Sequence, residues 1–314
     1  MAVFNIHHIT KYEYDRPVKE SVNEIKIYPF NSLEQHVSYH EINITGRPDV
    51  MVSTDYWGNR TGMFNLMPSH AELVIESKLV VHNQPPEKDI KNFNGDFAQL
   101  RKEVKKDLLL IELSRSQKLM LHKEIKTIAE KIKTSGVVSE VVENCSHFIF
   151  ENFQYVKGIT TIETTVEEIL EFRSGVCQDF AHVMLEVFRY LQIPGRYVSG
   201  YICPNKNGMR GEGATHAWVE AWIPGYGWAG IDPTNNVWVT NRHVKLAVGR
   251  NFNDCSPVKG TFKGPAKQSL SVYVSVGYED GQTFEEMSKV KLEKQVEDNE
   301  DPTLLESFAG QQQQ

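Results

Sequence analysis

The chain has 314 residues, of which 40% are hydrophobic and 24% are charged, and its formal net charge is −7. This composition indicates a globular protein of one large domain or two ordinary ones. Six acidic residues and one basic residue follow Leu292, and the rest of the chain is nearly balanced in charge. A nucleic-acid-binding protein needs a basic face, so the charge argues against a nucleic-acid partner.

The cellular setting is predicted from the apolar runs and the cysteines. No apolar run approaches the ~20 residues that span a bilayer, and Met1–His8 lacks the features of a secretory signal peptide. We therefore expect a cytoplasmic protein without membrane association. The four cysteines lack metal-site spacing and are too few for a disulfide framework, so each is interpreted separately as a core residue or a reactive thiol.

Residues 1–84 have the pattern of a β domain. Short alternating runs are separated by turn signals such as Trp57-Gly58-Asn59. The predicted strands are Val3–Tyr14, Val22–Tyr28, Gln35–Thr45 and Glu72–His82. We expect a small antiparallel sandwich or sheet, which carries no cluster of residues that demands chemistry.

Pro85-Pro86 ends this pattern, and the chain is predicted to be helical from about Asp96 to Phe153 and then mixed. Cys145 lies at helical spacing from Val141, Phe148 and Ile149, which predicts a core position. Residues 85–292 form the predicted core with a helical lead-in and a final pair of strands, at Ser269–Val276 and Met287–Leu292. Residues 293–314 form a predicted flexible, acidic tail.

An amphipathic helix from Cys177 to Leu191 dominates the middle of this core. Its apolar stripe predicts one buried face, and Asp179 and His182 fall on the other side, where we expect them to be solvated. Strands are predicted at Arg196–Cys203, His216–Ile223 and Trp228–Ile231, with a glycine- and asparagine-rich loop at 205–213.

Cys177 is the candidate nucleophile. A cysteine attacks as its thiolate, and Cys177 stands at the start of the helix, where unpaired backbone N–H groups and the positive end of the helix dipole favour a negative charge. The same N–H groups could hold an oxyanion.

His216 and Asp232 are the candidate base and orienting acid. His216 opens one strand of a predicted hairpin and Asp232 ends the other, so the two should be neighbours in space although 16 positions separate them. Side chains alternate along the first strand, so the residues that face the interior are either Trp218 and Glu220 or Ala217, Val219 and Ala221.

Structural explanations compete for each residue taken alone. A helix-start cysteine is usually a small core residue, a histidine at a strand edge is usually only a hydrogen-bonded polar residue, and an aspartate before proline is usually a turn former. Zinc binding by Cys177, His216 and Asp232 is disfavoured because one Cys and one His give too few ligands.

Several other side chains keep two interpretations. Arg196 and Tyr201 either line the cleft or only pack. The aromatic group of the hairpin (Trp222, Tyr226 and Trp228) packs the turn or forms a wall for a substrate. Cys203 is interpreted as structural, and Cys255 as a loop residue exposed to solvent.

Four ordered motifs resemble the transglutaminase-like superfamily, and specifically its bacterial members that carry an N-terminal β domain. They are Gly175-Val176-Cys177-Gln178-Asp179-Phe180-Ala181, Ile193-Pro194-Gly195-Arg196-Tyr197-Val198-Ser199-Gly200-Tyr201, His216-Ala217-Trp218-Val219-Glu220-Ala221-Trp222 and Gly227-Trp228-Ala229-Gly230-Ile231-Asp232-Pro233-Thr234. The core resemblance covers roughly residues 135–240. It implies an α+β protein with a papain-like core, in which helices pack on an antiparallel sheet.

The resemblance also implies a Cys-His-Asp triad that matches Cys177, His216 and Asp232. Animal transglutaminases use an upstream Trp as an oxyanion donor, but no Trp lies between Trp57 and Trp218. Tyr155 is the candidate substitute, beside the backbone N–H of Cys177. The sequence shows no calcium-binding acidic loop, so we expect no metal and no cofactor.

We therefore expect cysteine-dependent acyl chemistry on peptide or glutamine-type amides of a protein or peptide substrate, through a thioester. Hydrolysis, as in a protease or amidase, is slightly favoured over transfer to an amine, as in a protein-glutamine transglutaminase. A non-catalytic peptide-binding module of the same fold is the third hypothesis, which the presence of all three triad residues disfavours. The sequence leaves the oligomeric state open.

Overall fold

A computed structural model describes residues 1–116, 123–203, 209–211, 215–278, 283–291 and 305–308. The strands are β1 (Ala2–Val18), β2 (Ser21–Ile25), β3 (Gln35–Ile44), β4 (Met51–Thr54), β5 (Arg60–Leu66), β6 (His70–Asn83), β7 (Gln154–Tyr155), β8 (Ser174–Gly175), β9 (Gly195–Ile202), β10 (Thr215–Ile223), β11 (Gly227–Asp232), β12 (Val237–Trp238), β13 (His243–Gly249), β14 (Val258–Lys263), β15 (Gln268–Tyr278), β16 (Thr283–Lys291) and β17 (Leu305–Phe308). The helices are α1 (Phe97–Val104), α2 (Leu108–Leu113), α3 (Lys123–Ile132), α4 (Val138–Asn152), α5 (Val166–Phe172), α6 (Cys177–Tyr190) and α7 (Phe252–Cys255), with a 3-10 turn at Ile90–Asn92.

Two five-stranded antiparallel sheets, in the orders β16-β15-β1-β6-β3 and β17-β14-β2-β5-β4, form a sandwich. Their inner faces share one apolar core that includes Phe4, Ile25, Leu79 and Phe262. Alternation of buried and exposed residues along β1, as predicted for this region, places one side chain in two in that core.

The strand pairing differs from the predicted division of the chain, in which residues 85–292 formed the core. The predicted pair near the C-terminus is confirmed as β15 and β16, but β15 pairs with β1, so both strands extend the N-terminal sheet. Likewise β14 pairs with β2. Pairing between strands about 250 positions apart depends on the tertiary fold, and no local pattern in the sequence reveals it.

The end of the chain also differs in part from the expected flexible tail. Leu305–Phe308 forms β17 and pairs with β14. The remaining residues of that tail, and those of the predicted 205–213 loop other than 209–211, lie outside the described residues.

The core is a five-stranded antiparallel sheet in the order β12-β11-β10-β9-β13, with helices packed on it, which confirms the α+β prediction. Helix α6 lies against the sheet and is covered on its other side by α3, α4 and α5. Ala217, Val219 and Ala221 of β10 join the apolar cluster of α6. This decides between the two alternations left open by the sequence.

The sandwich covers the edge strand β13 of the core sheet. The Asn59 side chain donates to Val248 O at 2.7 Å and accepts from Val248 N at 2.8 Å. Gln35 makes the same pair of bonds with Lys245, at 2.9 and 2.7 Å. These two amide side chains occupy backbone groups that an edge strand would otherwise leave unpaired. Within the described ranges no helix is long and apolar enough to cross a membrane.

Candidate active site

Cys177 is the first residue of α6, as predicted, and is fully buried. The turn before it is tightly built: a side chain at Gly175 would place its Cβ 2.5 Å from Asp179 Oδ2, so only glycine fits there. Asp179 accepts from the Val176 N–H at 2.8 Å and from the Thr160 hydroxyl at 2.7 Å. These contacts fix the backbone that presents Cys177.

The expectation that Asp179 and His182 are solvated is wrong. Asp179 is 1% exposed, and burial raises its pKa to about 6 although its hydrogen bonds from Thr160 and Val176 oppose the shift. His182 is half-buried against Tyr197 and accepts from the Phe252 N–H at 3.2 Å. The physical reason is that α6 lies between the sheet and three other helices, so its second face is covered too.

The hairpin brings His216 and Asp232 together as predicted. Strands β10 and β11 are antiparallel, with Val219 opposite Ile231, so His216 at one strand's start lies near Asp232 at the other's end. His216 Nε2 is 2.8 Å from Asp232 Oδ2, and neither residue has any solvent-exposed surface.

The Cys177 thiol is close enough to the His216 ring for its charge to act on that ring. Because Nε2 is engaged by Asp232, Nδ1 is the ring nitrogen left for the thiol, and Nδ1 makes no hydrogen bond within the described part of the chain. Burial alone would lower the pKa of His216, but the negative charges of Asp232 and Cys177 outweigh it and raise that pKa. The arrangement therefore favours the protonated form of the His216 ring.

Asp232 is held by more donors than the sequence suggested. Its Oδ1 accepts from the Thr234 N–H at 2.9 Å, and its Oδ2 accepts from Asn235 Nδ2 at 2.8 Å and lies 3.4 Å from His243 Nε2. Burial raises the pKa of Asp232, but the bond and charge of His216 and the bond from His243 lower it well below the ordinary range. Asp232 is therefore an anion that four neighbours orient.

His243 is the residue near the site that sequence reasoning missed. It begins β13, which pairs with β9 and not with β10, so nothing in its local sequence points to Asp232. The Thr240 N–H donates to His243 Nδ1 at 3.3 Å. An accepting Nδ1 carries no proton, so the ring proton is on Nε2, which donates to Asp232.

Tyr155, the candidate oxyanion donor, lies close to the nucleophile's turn. In β7 it pairs with Gly175 of β8, two residues before Cys177, and its half-buried ring packs 6.4 Å from that of Phe180. Its role in holding an oxyanion stays a prediction.

Some aromatic residues of the hairpin pack against the protein, and others line a cleft. Trp222 packs edge-on against Trp228 at 5.4 Å between ring centres and donates to Glu103 at 2.7 Å. Tyr226 and Trp228 line a cleft of about 480 Å³. Arg196 is ion-paired with Glu220 at 2.6 Å and does not line this cleft. Tyr201 is buried and bonds His8 at 2.8 Å.

The other three cysteines are all buried. Cys145 is a core residue as predicted, and Cys203 is fully buried, in agreement with a structural role. The expected exposure of Cys255 is wrong, because α7 turns its thiol inward to within 3.8 Å of Tyr197 O. Burial raises the pKa of each of these three thiols.

Comparison with known proteins agrees with the resemblance in the motifs. The family profile of the transglutaminase-like superfamily matches residues 126–233, and that of the bacterial transglutaminase-like N-terminal region matches residues 4–82. An uncharacterized protein of Mycobacterium leprae is 30% identical over 272 residues, which cover 86% of this chain and 96% of that protein.

Two further similarities bear on the core and the fold. A protein-glutamine gamma-glutamyltransferase of Pseudomonas aeruginosa is 35% identical over 109 residues, which are 32% of this chain and 16% of that protein. The crystal structure of a "Putative Cysteine Protease" from Cytophaga hutchinsonii shares the fold, with a TM-score of 0.70 at 21% identity over 98% of this chain and 97% of that chain. The chain therefore belongs to the transglutaminase-like superfamily, and it carries the bacterial transglutaminase-like N-terminal region.

Proposed function

We propose that this protein is an enzyme of cysteine-dependent acyl chemistry, which acts on peptide or glutamine-type amides with Cys177 as nucleophile, His216 as acid and base, and Asp232 as the orienting carboxylate. The observation that carries the proposal is the buried His216–Asp232 hydrogen bond beside the Cys177 thiol, which stands at a helix N-terminus and acts on the same imidazole. A cysteine with a purely structural role needs neither a histidine nor an aspartate beside it.

The first half of the reaction forms a thioester. The Cys177 thiolate attacks the amide carbonyl carbon, and the carbonyl oxygen becomes an oxyanion, for which we propose the Cys177 N–H and Tyr155 as donors. The C–N bond then breaks as the His216 imidazolium gives its proton to the departing nitrogen. A glutamine side chain releases ammonia, and a peptide bond releases the new amino terminus.

The second half returns the enzyme to its starting state. Neutral His216 takes a proton from the acceptor, which attacks the thioester carbon, and the C–S bond breaks to regenerate the thiolate. Water as acceptor gives a carboxylic acid, and an amine gives a new amide. Asp232 keeps the imidazole oriented in both steps and stabilises its charged form.

Access to the thiol requires a change of conformation. Cys177, His216 and Asp232 have no exposed surface, so a substrate reaches the sulfur only when the groups that cover it move. Such closure excludes water from the charged pair between turnovers, as lids do in many enzymes.

Hydrolysis is the outcome we favour, because water needs no binding site of its own. The similarity of residues in this core to a protein-glutamine gamma-glutamyltransferase supports transfer to an amine as the second candidate. Both use the same thioester, and the acceptor alone distinguishes them.

The deciding experiment is incubation with glutamine-containing peptides and a tagged primary amine, followed by mass spectrometry. We expect peptide cleavage or ammonia release to exceed tag incorporation. The Cys177→Ala variant should abolish both, and Cys255→Ala, which removes a buried thiol away from His216, should abolish neither. Tag incorporation that outruns hydrolysis would establish the second candidate, and full activity in Cys177→Ala would refute the enzymatic proposal.

A further inference from the structure

A cleft of about 480 Å³ lies on the face of the core sheet that is turned away from α6. Its floor includes Trp218 and Glu220, which alternate along β10 with the residues that pack on α6. Its other wall comes from positions 30–35, which lead into β3, and from positions 83–90, which follow from the end of β6. The cleft is thus formed jointly by the core and the N-terminal region.

A thin wall separates this cleft from the candidate active site. The Trp218 ring is stacked on His216 at 6.4 Å between ring centres and meets His243 edge-on at 5.2 Å. Trp218 and His243 both line the cleft, whereas Cys177 and His216 do not. The atoms of a ligand that lie within the cleft are therefore close to the catalytic pair but are not the atoms that react with the sulfur.

The wall offers a hydrogen-bond donor that nothing uses. Trp218 is fully buried, and its Nε1 has no partner among the residues that the structure describes. Gly230, which also lines the cleft, lies beside this nitrogen: a Cβ there would be 3.5 Å from Nε1. A buried N–H without an acceptor is unfavourable, and a carbonyl oxygen of a peptide supplies the missing acceptor.

The mouth of the cleft carries an excess of negative charge. Glu220 on the floor is neutralised by ion pairs with Arg196 and Lys245. The outer carboxylates are those of Glu34, Glu87 and Asp89, against the single ammonium of Lys88.

The phenol of Tyr226 lines the same cleft as these carboxylates. Burial raises the pKa of Tyr226, and the nearby charges of Glu34, Glu220 and Asp89 raise it further. Trp238 and Phe30 add apolar ring surface to the same cleft. Aromatic rings bordered by carboxylates attract a cation.

We propose that this cleft binds a peptide segment that carries a basic side chain, with a backbone carbonyl of the peptide on Trp218 Nε1 and the cation between Glu34 and Asp89. That the peptide is the enzyme's substrate rests on the proposed function, but the binding itself does not. The bound cation is a recognition group and not the acyl acceptor, because the wall formed by Trp218 and His243 separates it from Cys177.

Calorimetric titration of the Cys177→Ala protein tests the proposal without any turnover. The probes are blocked tripeptides that differ only in a central Lys, Arg or norleucine, together with 1,5-diaminopentane as a free amine. We expect the Lys and Arg peptides to bind about tenfold more tightly than the norleucine peptide, with a preference that weakens as salt increases, and we expect the free amine to compete poorly.

Two variants locate the site. Glu34→Gln combined with Asp89→Asn keeps the hydrogen-bonding capacity of both side chains and should abolish the preference for Lys and Arg. The control Glu143→Gln removes an exposed acid on α4 and should preserve it. Trp218→Phe keeps a ring but removes the N–H. It should lower the affinity for each of the three peptides by about tenfold.

Equal affinity for the Lys and norleucine peptides would overturn the proposal, as would no binding at all, or a preference that survives the double variant. Competition by the free amine at the affinity of the Lys peptide would identify an amine site instead. If the peptides bind as expected and the wild-type protein turns over no amide, the proposed function fails and the binding site stands. If the wild-type protein turns over an amide but shows no preference for the Lys and Arg peptides, the binding site fails and the proposed function stands.

Discussion

The two faces of β10 differ in chemistry although both are buried. Toward α6 the strand presents Ala217, Val219 and Ala221, which carry no side-chain polar atom. The other face presents His216, Trp218 and Glu220. All six side chains are at most 5% exposed. Burial alone therefore does not distinguish the face that stabilises the protein from the face that we propose for function.

The two faces should differ in their energetics. Burial of the aliphatic face is favourable without further conditions. On the other face burial opposes the charged forms of His216 and Glu220, and their partners offset this cost: Asp232 for the ring, and Arg196 and Lys245 for the carboxylate. Substitutions on the aliphatic face should change stability independently of pH, and those on the other face should change activity or a part of the stability that depends on pH.

The largest expected effect follows His216→Ala. Loss of the base should reduce amide turnover by about 10³-fold or more, while the folded protein persists because three donors other than His216 still hold the Asp232 carboxylate. Turnover and the thermal midpoint Tm should be measured together. His147→Ala, at an exposed position of α4, is the control. If the loss of turnover matched the fraction of unfolded protein, His216 would have a structural role and not a catalytic one.

Glu220→Gln should destabilise the protein in a pH-dependent manner. Burial raises the pKa of Glu220, but Arg196 and Lys245 more than compensate and hold it at about 2, against an ordinary value of 4.5. A depressed folded-state pKa gives stability that is present above about pH 4.5 and is lost as the pH falls toward 2. The loss at pH 7 should be about 3 kcal/mol.

Urea unfolding of wild type and Glu220→Gln at pH 7, 5 and 3.5 checks this prediction. The difference between the two proteins should be largest at pH 7 and should shrink at pH 3.5. A difference that stays constant over this range would show that the carboxylate's charge is not what stabilises the floor of the cleft.

Val219→Ala tests the opposite face. It removes two methyl groups from the cluster around α6 and should cost about 2 kcal/mol of unfolding free energy, independent of pH. The turnover per folded molecule should stay within about twofold of wild type. A large loss of activity at full folding would mean that the two faces are not separable.

The smallest expected effect is that of His243. Its ring donates to Asp232, so His243→Ala should lower kcat about tenfold with little change in KM. Loss of this donor leaves Asp232 a stronger partner for the His216 imidazolium, so the pKa of His216 should rise and the alkaline limb of the pH profile should move upward. His243→Gln restores a donor and should recover part of the rate. Equal loss in both variants with an unmoved profile would indicate a purely structural role.

What the sequence predicts well is local. The hairpin that joins His216 to Asp232 spans 16 positions, and the start of α6 at Cys177 follows from a glycine turn and an amphipathic stripe, so both were predictable. His243 was not, because β13 reaches the site through its pairing with β9. Asp179 was misjudged because one apolar stripe does not reveal that a helix is covered on two sides.

The composition of the sandwich was also beyond the sequence pattern. β1 has β6 as one neighbour and β15 as the other, and each of these strands alternates in the same way, so alternation cannot identify partners. The resulting unit places Gln35 and Asn59 on the edge of β13. The N-terminal region thereby supports the strand that carries His243.

Alkylation of the native protein by iodoacetamide, followed by mass mapping of the four cysteines, tests the central claim most directly. All four thiols are fully buried, so burial cannot by itself favour one of them. The account predicts that Cys177 reacts first, that it does so already at pH 6, where an unassisted thiol is almost entirely protonated, and that His216→Ala removes this advantage. A Cys177 that reacts no faster than Cys145 or Cys255, or whose rate is the same in His216→Ala, would contradict the account.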